Sequence, residues 1–315
     1  MQTAKKENIV SRILTAVAFM WVLTGFFACG SNQEKSETPP DYVAQIEQWH
    51  KDRIDRLLKP DGWLSLAGLY WLKEGENSFG SDSSNDIVFP AGKAPASIGS
   101  FLLRGGKVTV KIKPGVKVLS AGRPVRKLAL QDDWDGHPTQ LNYGTLMWYI
   151  HKVDGKYAVR LKDSENPARI NFKGIERYPI DAKWRLKAKF EPYDPPKHIP
   201  IPNIKGFNTD EISPGRLVFK VKGKTYSLDP ILEVGEKDYF IIFGDKTNGI
   251  ETYGAGRFVY ASPPDSEGYT YIDFNKAYNP PCVFTNYATC PLPPPQNRLP
   301  FKVTAGEKKY AGAHQ

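Results

Sequence analysis

The sequence predicts a mainly β protein, an antiparallel sandwich or barrel with one amphipathic helix at its N-terminal side. Three observations carry this expectation. Apolar residues alternate with polar ones in several segments between residues 100 and 230, glycine-containing turns separate those segments, and a helical period is confined to residues 41–61.

The helix comes first. "DYVAQIEQWHKDRIDRLLK" places Tyr42, Val43, Ile46, Trp49, Ile54, Leu57 and Leu58 close to one face, with Asp41 as the expected cap and Pro60-Asp61-Gly62 as the stop. Its polar face mixes Asp55 with Arg56, so the apolar face is expected to pack on the body of the protein and not on a membrane. Strands follow. Gly105-Gly106 separates "SFLLR" from "KVTVKIK", Asp154-Gly155 joins "LMWYIHKV" to "KYAVRLK", and Gly223-Lys224 splits "RLVFKVK" from "TYSL". Trp184, Leu186, Ala188 and Phe190 form another alternating run. The proline-rich stretches Glu191–Pro202 and Ala261–Gly268 read as surface connections.

Ahead of the helix lies a processing signal. Lys5, Lys6 and Arg12 form a basic start, Ile13–Phe27 an apolar run, and Ala28-Cys29-Gly30 a junction of small residues around a cysteine. The junction resembles the lipobox of bacterial lipoproteins, which implies cleavage before Cys29 and a diacylglycerol thioether on its sulfur. The expected organisation is a signal peptide over 1–28 and a lipidated polar tether over 29–40. The helix (41–61), a sandwich-like region (62–163) and a C-terminal β domain (164–310) follow. The expected location is the cell envelope, outside the cytoplasm, with the membrane as a partner through the lipid. The formal charge is +9, and removal of Lys5, Lys6, Arg12 and Glu7 with the signal leaves +7. The lysines are spread along strand-like segments and form no block, so the excess reads as solubility and gives no support for nucleic-acid binding.

"NSFGSDSSNDIVFP" followed by "PASIGSFLLRGGKVTV" resembles the opening strands of forkhead-associated domains, a β-sandwich family that binds phosphothreonine. The resemblance implies sandwich architecture from about Gly62 to Leu161. That family has an arginine after the glycine that grips phosphate; here Ser81 follows Gly80, so phosphopeptide binding is not expected. A second resemblance rests on Asp245-x-Thr247, Thr252-Tyr-Gly-x-Gly-Arg257, Asp273-Phe-Asn275, Asn279-Pro-Pro-Cys282 and Cys290-Pro-Leu-Pro-Pro-Pro, with "DGWLSLAGLYWL" at the front. These are similar to a bacterial family known as a domain of unknown function (number 1684). It implies no activity.

Chemically capable residues concentrate in that C-terminal segment. Asp245 and Asp273 are candidate acids or bases. Thr247, Tyr253, Arg257, Asn275 and Asn279 are candidates to hold a small polar or anionic ligand, with Arg257 as a planar, two-pronged clamp. The alternative for each is structural: Asp245 and Asn248 capping a turn, Asp273 bridging to Arg257, the asparagines satisfying backbone. No motif specifies a nucleophile, a metal or a cofactor, and no metal or cofactor is expected. The glycines at 254 and 256 lead into the strand-like "RFVYA" and not into a helix, so a phosphate-binding loop lacks its context. The five histidines are scattered. With Cys29 lipidated, Cys282 and Cys290 remain as an even pair in an oxidising compartment, which favours a disulfide. A reactive thiol or a metal site is the alternative, the latter short of histidines because none lies between His198 and His314. The prolines around the pair exclude a central strand. A loop closed by the bridge would be a rigid wall, either of a ligand site or over the core.

Overall fold

The computed structural model describes residues 39–312 except Val234; Cys29, the signal peptide and most of the tether lie outside the described residues. Helix α1 spans Tyr42–Leu57 and buries Tyr42, Ile46, His50, Arg53 and Leu57, spaced three and four apart along one face. Two polar residues thus belong to the inward stripe, while Val43 is 58% exposed. The expected Asp41 cap is corrected: Asp41 is left-handed (φ 59°) and its side chain makes no capping bond. The chain enters α1 by a turn whose backbone donates from Tyr42 N to Pro39 O.

The chain continues through β1 (Leu66–Trp71), β2 (Gly75–Gly80), β3 (Ile87–Val88), β4 (Gly99–Arg104), β5 (Lys107–Ile112), β6 (Leu119–Ser120) and β7 (Arg123–Pro124). β8 (Lys127–Leu130), β9 (Leu141–Tyr143), β10 (Leu146–Val153) and β11 (Lys156–Asp163) complete this part. They form a six-stranded sheet, ordered β1-β11-β10-β9-β6-β7, and a five-stranded sheet, ordered β3-β2-β4-β5-β8. Pairing is antiparallel except between β2 and β3. One core joins the inner faces of both sheets, with Phe79, Phe101 and Val110 from one and Trp148, Ile150, Val159 and Leu161 from the other. Each such side chain contributes about 1.5–3 kcal/mol by leaving water. The β10–β11 hairpin turns at Asp154 and Gly155, both at positive φ, as the sequence predicts for an Asp-Gly pair.

A short helix α2 (Pro167–Ile170) leads to β12 (Arg185–Pro202), β13 (Asn208–Val221), β14 (Lys224–Leu228), β15 (Tyr239–Phe243), β16 (Arg257–Ala261) and β17 (Tyr269–Asp273). β14-β13-β12-β17 form one sheet and β15-β16 another. The reading of Glu191–Pro202 as a surface connection is corrected, because that stretch is the second half of β12 and pairs with β13 as far as Pro202↔Asn208. Its prolines are tolerated because β17 covers β12 only along Arg185–Lys189. Beyond that point β12 has no strand on its other side among the described residues, and the register shifts between Pro192 and Lys197. After β17 the chain runs as short turns and single bridges around the cysteine pair, in keeping with its prolines.

Candidate functional site

The sequence-predicted residues sort into separate networks. Arg257, at the start of β16, is fully buried. It bonds Asp245 Oδ2 at 2.9 Å and the carbonyls of Val303 (2.8 Å), Glu307 (3.2 Å) and Ala305. Asp245 Oδ1 also accepts from the Thr247 amide at 2.7 Å, and Thr247 and Thr252 share a hydroxyl bond at 2.8 Å. This arginine ties the extended C-terminal segment to β16 by donating to three of its carbonyls. The guanidinium expected as a two-pronged ligand clamp is enclosed by these partners, and the Arg257 bridge goes to Asp245 instead of Asp273.

Asp273 accepts the Tyr42 hydroxyl on both oxygens, at 2.8 and 2.9 Å. Burial, then the Asp273 charge, push the Tyr42 hydroxyl well above the usual phenol range. Asn275 donates to Tyr42 Oη at 2.8 Å and exchanges two bonds with the Asp181 backbone. Asn279 donates its amide to Glu307 Oε2 at 2.6 Å and its side chain to Lys308 O. Tyr253 packs half-buried between two apolar clusters. Asp245, Thr247, Tyr253, Arg257, Asp273, Asn275 and Asn279 therefore do not converge on one cavity.

A cleft of about 280 Å³ opens elsewhere, and none of those seven lines it. Its walls are aromatic: Trp63, Phe240, Phe258, Tyr260, Tyr278 and Phe284. Tyr260 and Tyr278 lie nearly parallel with centroids 6.3 Å apart, and Phe240 meets Phe258 edge to face at 4.9 Å. Alternation along β16 sends Tyr260 outward while Val259 and Ala261 join the core, which leaves this residue 38% exposed.

Two charged groups border the cleft. Glu233 accepts the Tyr260 hydroxyl at 2.9 Å, and burial raises its carboxyl above the usual range. Arg53 of α1 stacks over Tyr278 at 4.4 Å and is neutralised by the buried Glu307 at 2.6 Å. Glu307 is placed by Gly306, whose φ of +73° and contact with the Ala277 carbonyl exclude a side chain.

The remaining wall is the loop between the cysteines, through Ala288, Thr289, Cys290 and Pro291. Cys282 and Cys290 form a disulfide with Cα atoms 6.1 Å apart. The loop is further held by Ile204 N to Cys290 O at 3.1 Å and Leu292 N to Pro202 O at 2.7 Å. The stapled segment thus both buries its sulfurs in an apolar cluster and walls the cleft. Among the described residues no group of three His, Cys, Asp or Glu side chains is arranged to hold a metal.

Fold and cleft define a predominantly antiparallel β protein whose aromatic recess is closed by a helix on one side and a disulfide loop on another. Residues 170–308 match the family model described as "Protein of unknown function (DUF1684)", a span that holds every motif of the resemblance except the Asp61–Leu72 stretch. A search of curated proteins finds no match. Among solved structures, the chain is similar to an uncharacterised protein from Haloarcula marismortui. Identity is 28%, over 44% of this chain and 78% of that one, at a TM-score of 0.38. Weaker likeness links it to the FhaA forkhead-associated domain complexed with the intracellular domain of Rv3910 (13% identity, 30% and 97% coverage, TM-score 0.21). A forkhead-associated domain with phosphothreonine-dependent interactions gives the same identity and TM-score over 30% and 92%.

Proposed function

We propose that this chain is a cell-envelope lipoprotein, held by a lipid on Cys29, that binds a small neutral polar ligand with an apolar ring face, of the carbohydrate kind, in the aromatic cleft. The carrying observation is the pairing of half-exposed rings with hydroxyl and carboxyl groups: Trp63 at 39% and Tyr260 at 38% exposure beside Glu233 and Thr289. Rings offer flat apolar contact and the polar groups fix orientation. The volume lies near the small end of ligand pockets, about 300 Å³. An anionic ligand is disfavoured, since Glu233 stands at the cleft and the Arg53 charge is already matched by Glu307. Acid/base chemistry by Asp245 or Asp273 with Arg257 draws no support from a guanidinium enclosed on all sides.

Calorimetric titration of the full-length chain in detergent with neutral oligosaccharides tests the binding reading. Saturable heat that disappears in Trp63→Ala and Tyr260→Ala supports it, and equal heats in native and variant chains contradict it. Fractionation tests the anchor: Cys29→Ser should move the protein from membranes to the soluble fraction, and continued retention counts against lipidation.

A further inference from the structure

The outer face of the β1-β11-β10 sheet carries Tyr149, His151 and Arg160 where the opposite face holds Trp148, Ile150 and Val159. These polar side chains are nonetheless buried, His151 at 8% and Arg160 at 4% exposure. His151 Nδ1 lies 2.8 Å from Asp133 Oδ2, and His151 Nε2 lies 3.1 Å from Thr289 Oγ1. Asp133 is fixed by the Lys152 amide, which donates to its Oδ1 at 2.9 Å. Arg160 donates to Thr289 Oγ1 at 3.2 Å. Thr289 belongs to the disulfide loop and lines the aromatic cleft.

With the imidazole neutral, the donor directions close in one way. An ionised Asp133 only accepts, so His151 Nδ1 carries the proton and Nε2 presents a lone pair. The Thr289 hydroxyl therefore donates to Nε2 while its oxygen accepts from Arg160. Nucleophile, base and orienting carboxylate stand in the required sequence, with the nucleophile at the cleft.

We propose that Thr289, His151 and Asp133 form a catalytic triad that hydrolyses an acyl ester of the ligand bound in the cleft. This deepens the binding reading above and rests on it for the substrate class. Thr289 Oγ bonds to the acyl carbon as its proton passes to His151 Nε2 and the carbonyl electron pair moves onto oxygen. Collapse breaks the ester C–O bond, and the leaving oxygen takes the proton from Nε2, which frees the alcohol and leaves acyl-threonine. Water attacks the acyl carbon with its proton passing to Nε2. The second collapse returns that proton to Oγ and releases the acid. Arg160 sets a cation beside the reacting oxygen, and its Nε has no hydrogen-bond partner among the described residues. Burial pushes the His151 imidazole below its ordinary value, which keeps the base neutral near pH 7.

The test is labelling of the full-length chain with a fluorophosphonate, mapped by mass spectrometry, beside hydrolysis of 4-nitrophenyl acetate. The expected adduct is on Thr289. It persists in Thr289→Ser, disappears in Thr289→Val, and falls at least 100-fold in rate in His151→Ala and Asp133→Asn. The hydrolysis rate of the native chain should rise as His151 loses its proton. An unlabelled Thr289 in a chain that still binds oligosaccharide overturns the triad and leaves the binding reading intact. Labelled Thr289 in a chain that binds none supports the triad and removes the binding reading. Labelling or hydrolysis unaltered in His151→Ala also overturns the triad.

Discussion

Arg53 of α1 and Glu307 of the C-terminal segment form a buried ion pair at 2.6 Å, joining residues 254 positions apart. Glu307 also receives the Asn279 amide, and Arg53 donates to the Asn279 carbonyl at 2.9 Å. The pair thus docks the helix, closes one side of the cleft and pins the segment entering the disulfide loop. Removal of one partner strands the other charge, so Arg53→Ala or Glu307→Gln should each cost about 3–5 kcal/mol in urea denaturation. The double variant Arg53→Ala/Glu307→Gln should lose much less than the sum of the single changes. Additive losses would show that the two side chains act independently.

Arg257→Ala should act on stability before it acts on binding. Four hydrogen bonds converge on this guanidinium, three of them to carbonyls of the C-terminal segment. A loss of about 3 kcal/mol or more is expected, seen as a lower denaturation midpoint. A variant that keeps native stability while losing oligosaccharide binding would restore the clamp role.

Stability should fall as the solution is acidified below about pH 6.5, the ordinary histidine value. Burial holds His50 and His151 below that value in the folded chain; Arg177 adds to the effect at His50, and Arg160 adds to it at His151. The unfolded chain then binds more protons, and the stability present above its pKa is lost as pH falls through the folded one. Asp133 works in the same direction at lower pH. Burial alone would raise its carboxyl, but the His151 bond and charge, the Lys152 amide and Arg160 hold it below the usual range. Melting temperature should therefore drop between pH 7 and 5, with a shallower slope in His151→Gln. An unchanged slope would remove His151 from the acid sensitivity.

Reduction of Cys282–Cys290 should lower stability by about 2–3 kcal/mol for so short a loop, or about 5 °C or more in melting temperature. Because Ala288, Thr289, Cys290 and Pro291 wall the cleft, ligand affinity should weaken in the same preparation. Unchanged melting, with two titratable thiols before any reductant, would contradict the bridge.

Local signals in the sequence were enough for the helix and the hairpins. Asp154-Gly155 sets a tight turn by its own backbone preferences, and residues 42–57 bury a face by spacing alone. The second half of β12 escaped because prolines are read as breaks, and only the sheet shows that this stretch lacks a second strand neighbour among the described residues. The polar cluster from Asp245 to Asn279 was visible as a concentration of residue types. Its occupation was not, since Arg257 and Asn279 are consumed by carbonyls and amides of residues 303–308 that no spacing rule connects to them. The cleft draws on Arg53, Trp63, Glu233, Tyr260, Tyr278 and Thr289, and the triad on residues 133, 151 and 289. Such sets leave no periodic trace. The proximity of Thr289 to Cys290 was the one local hint that this hydroxyl sits on a fixed wall.

The aromatic cleft as the binding site is tested most directly by calorimetric titration of the full-length chain with neutral oligosaccharides, beside the Trp63→Ala/Tyr260→Ala double variant. The account predicts saturable binding by the native chain and at least a tenfold loss in the double variant, titrated at a temperature at which circular dichroism shows both chains folded. Equal affinity in the two chains, or no binding by the native chain, would contradict it.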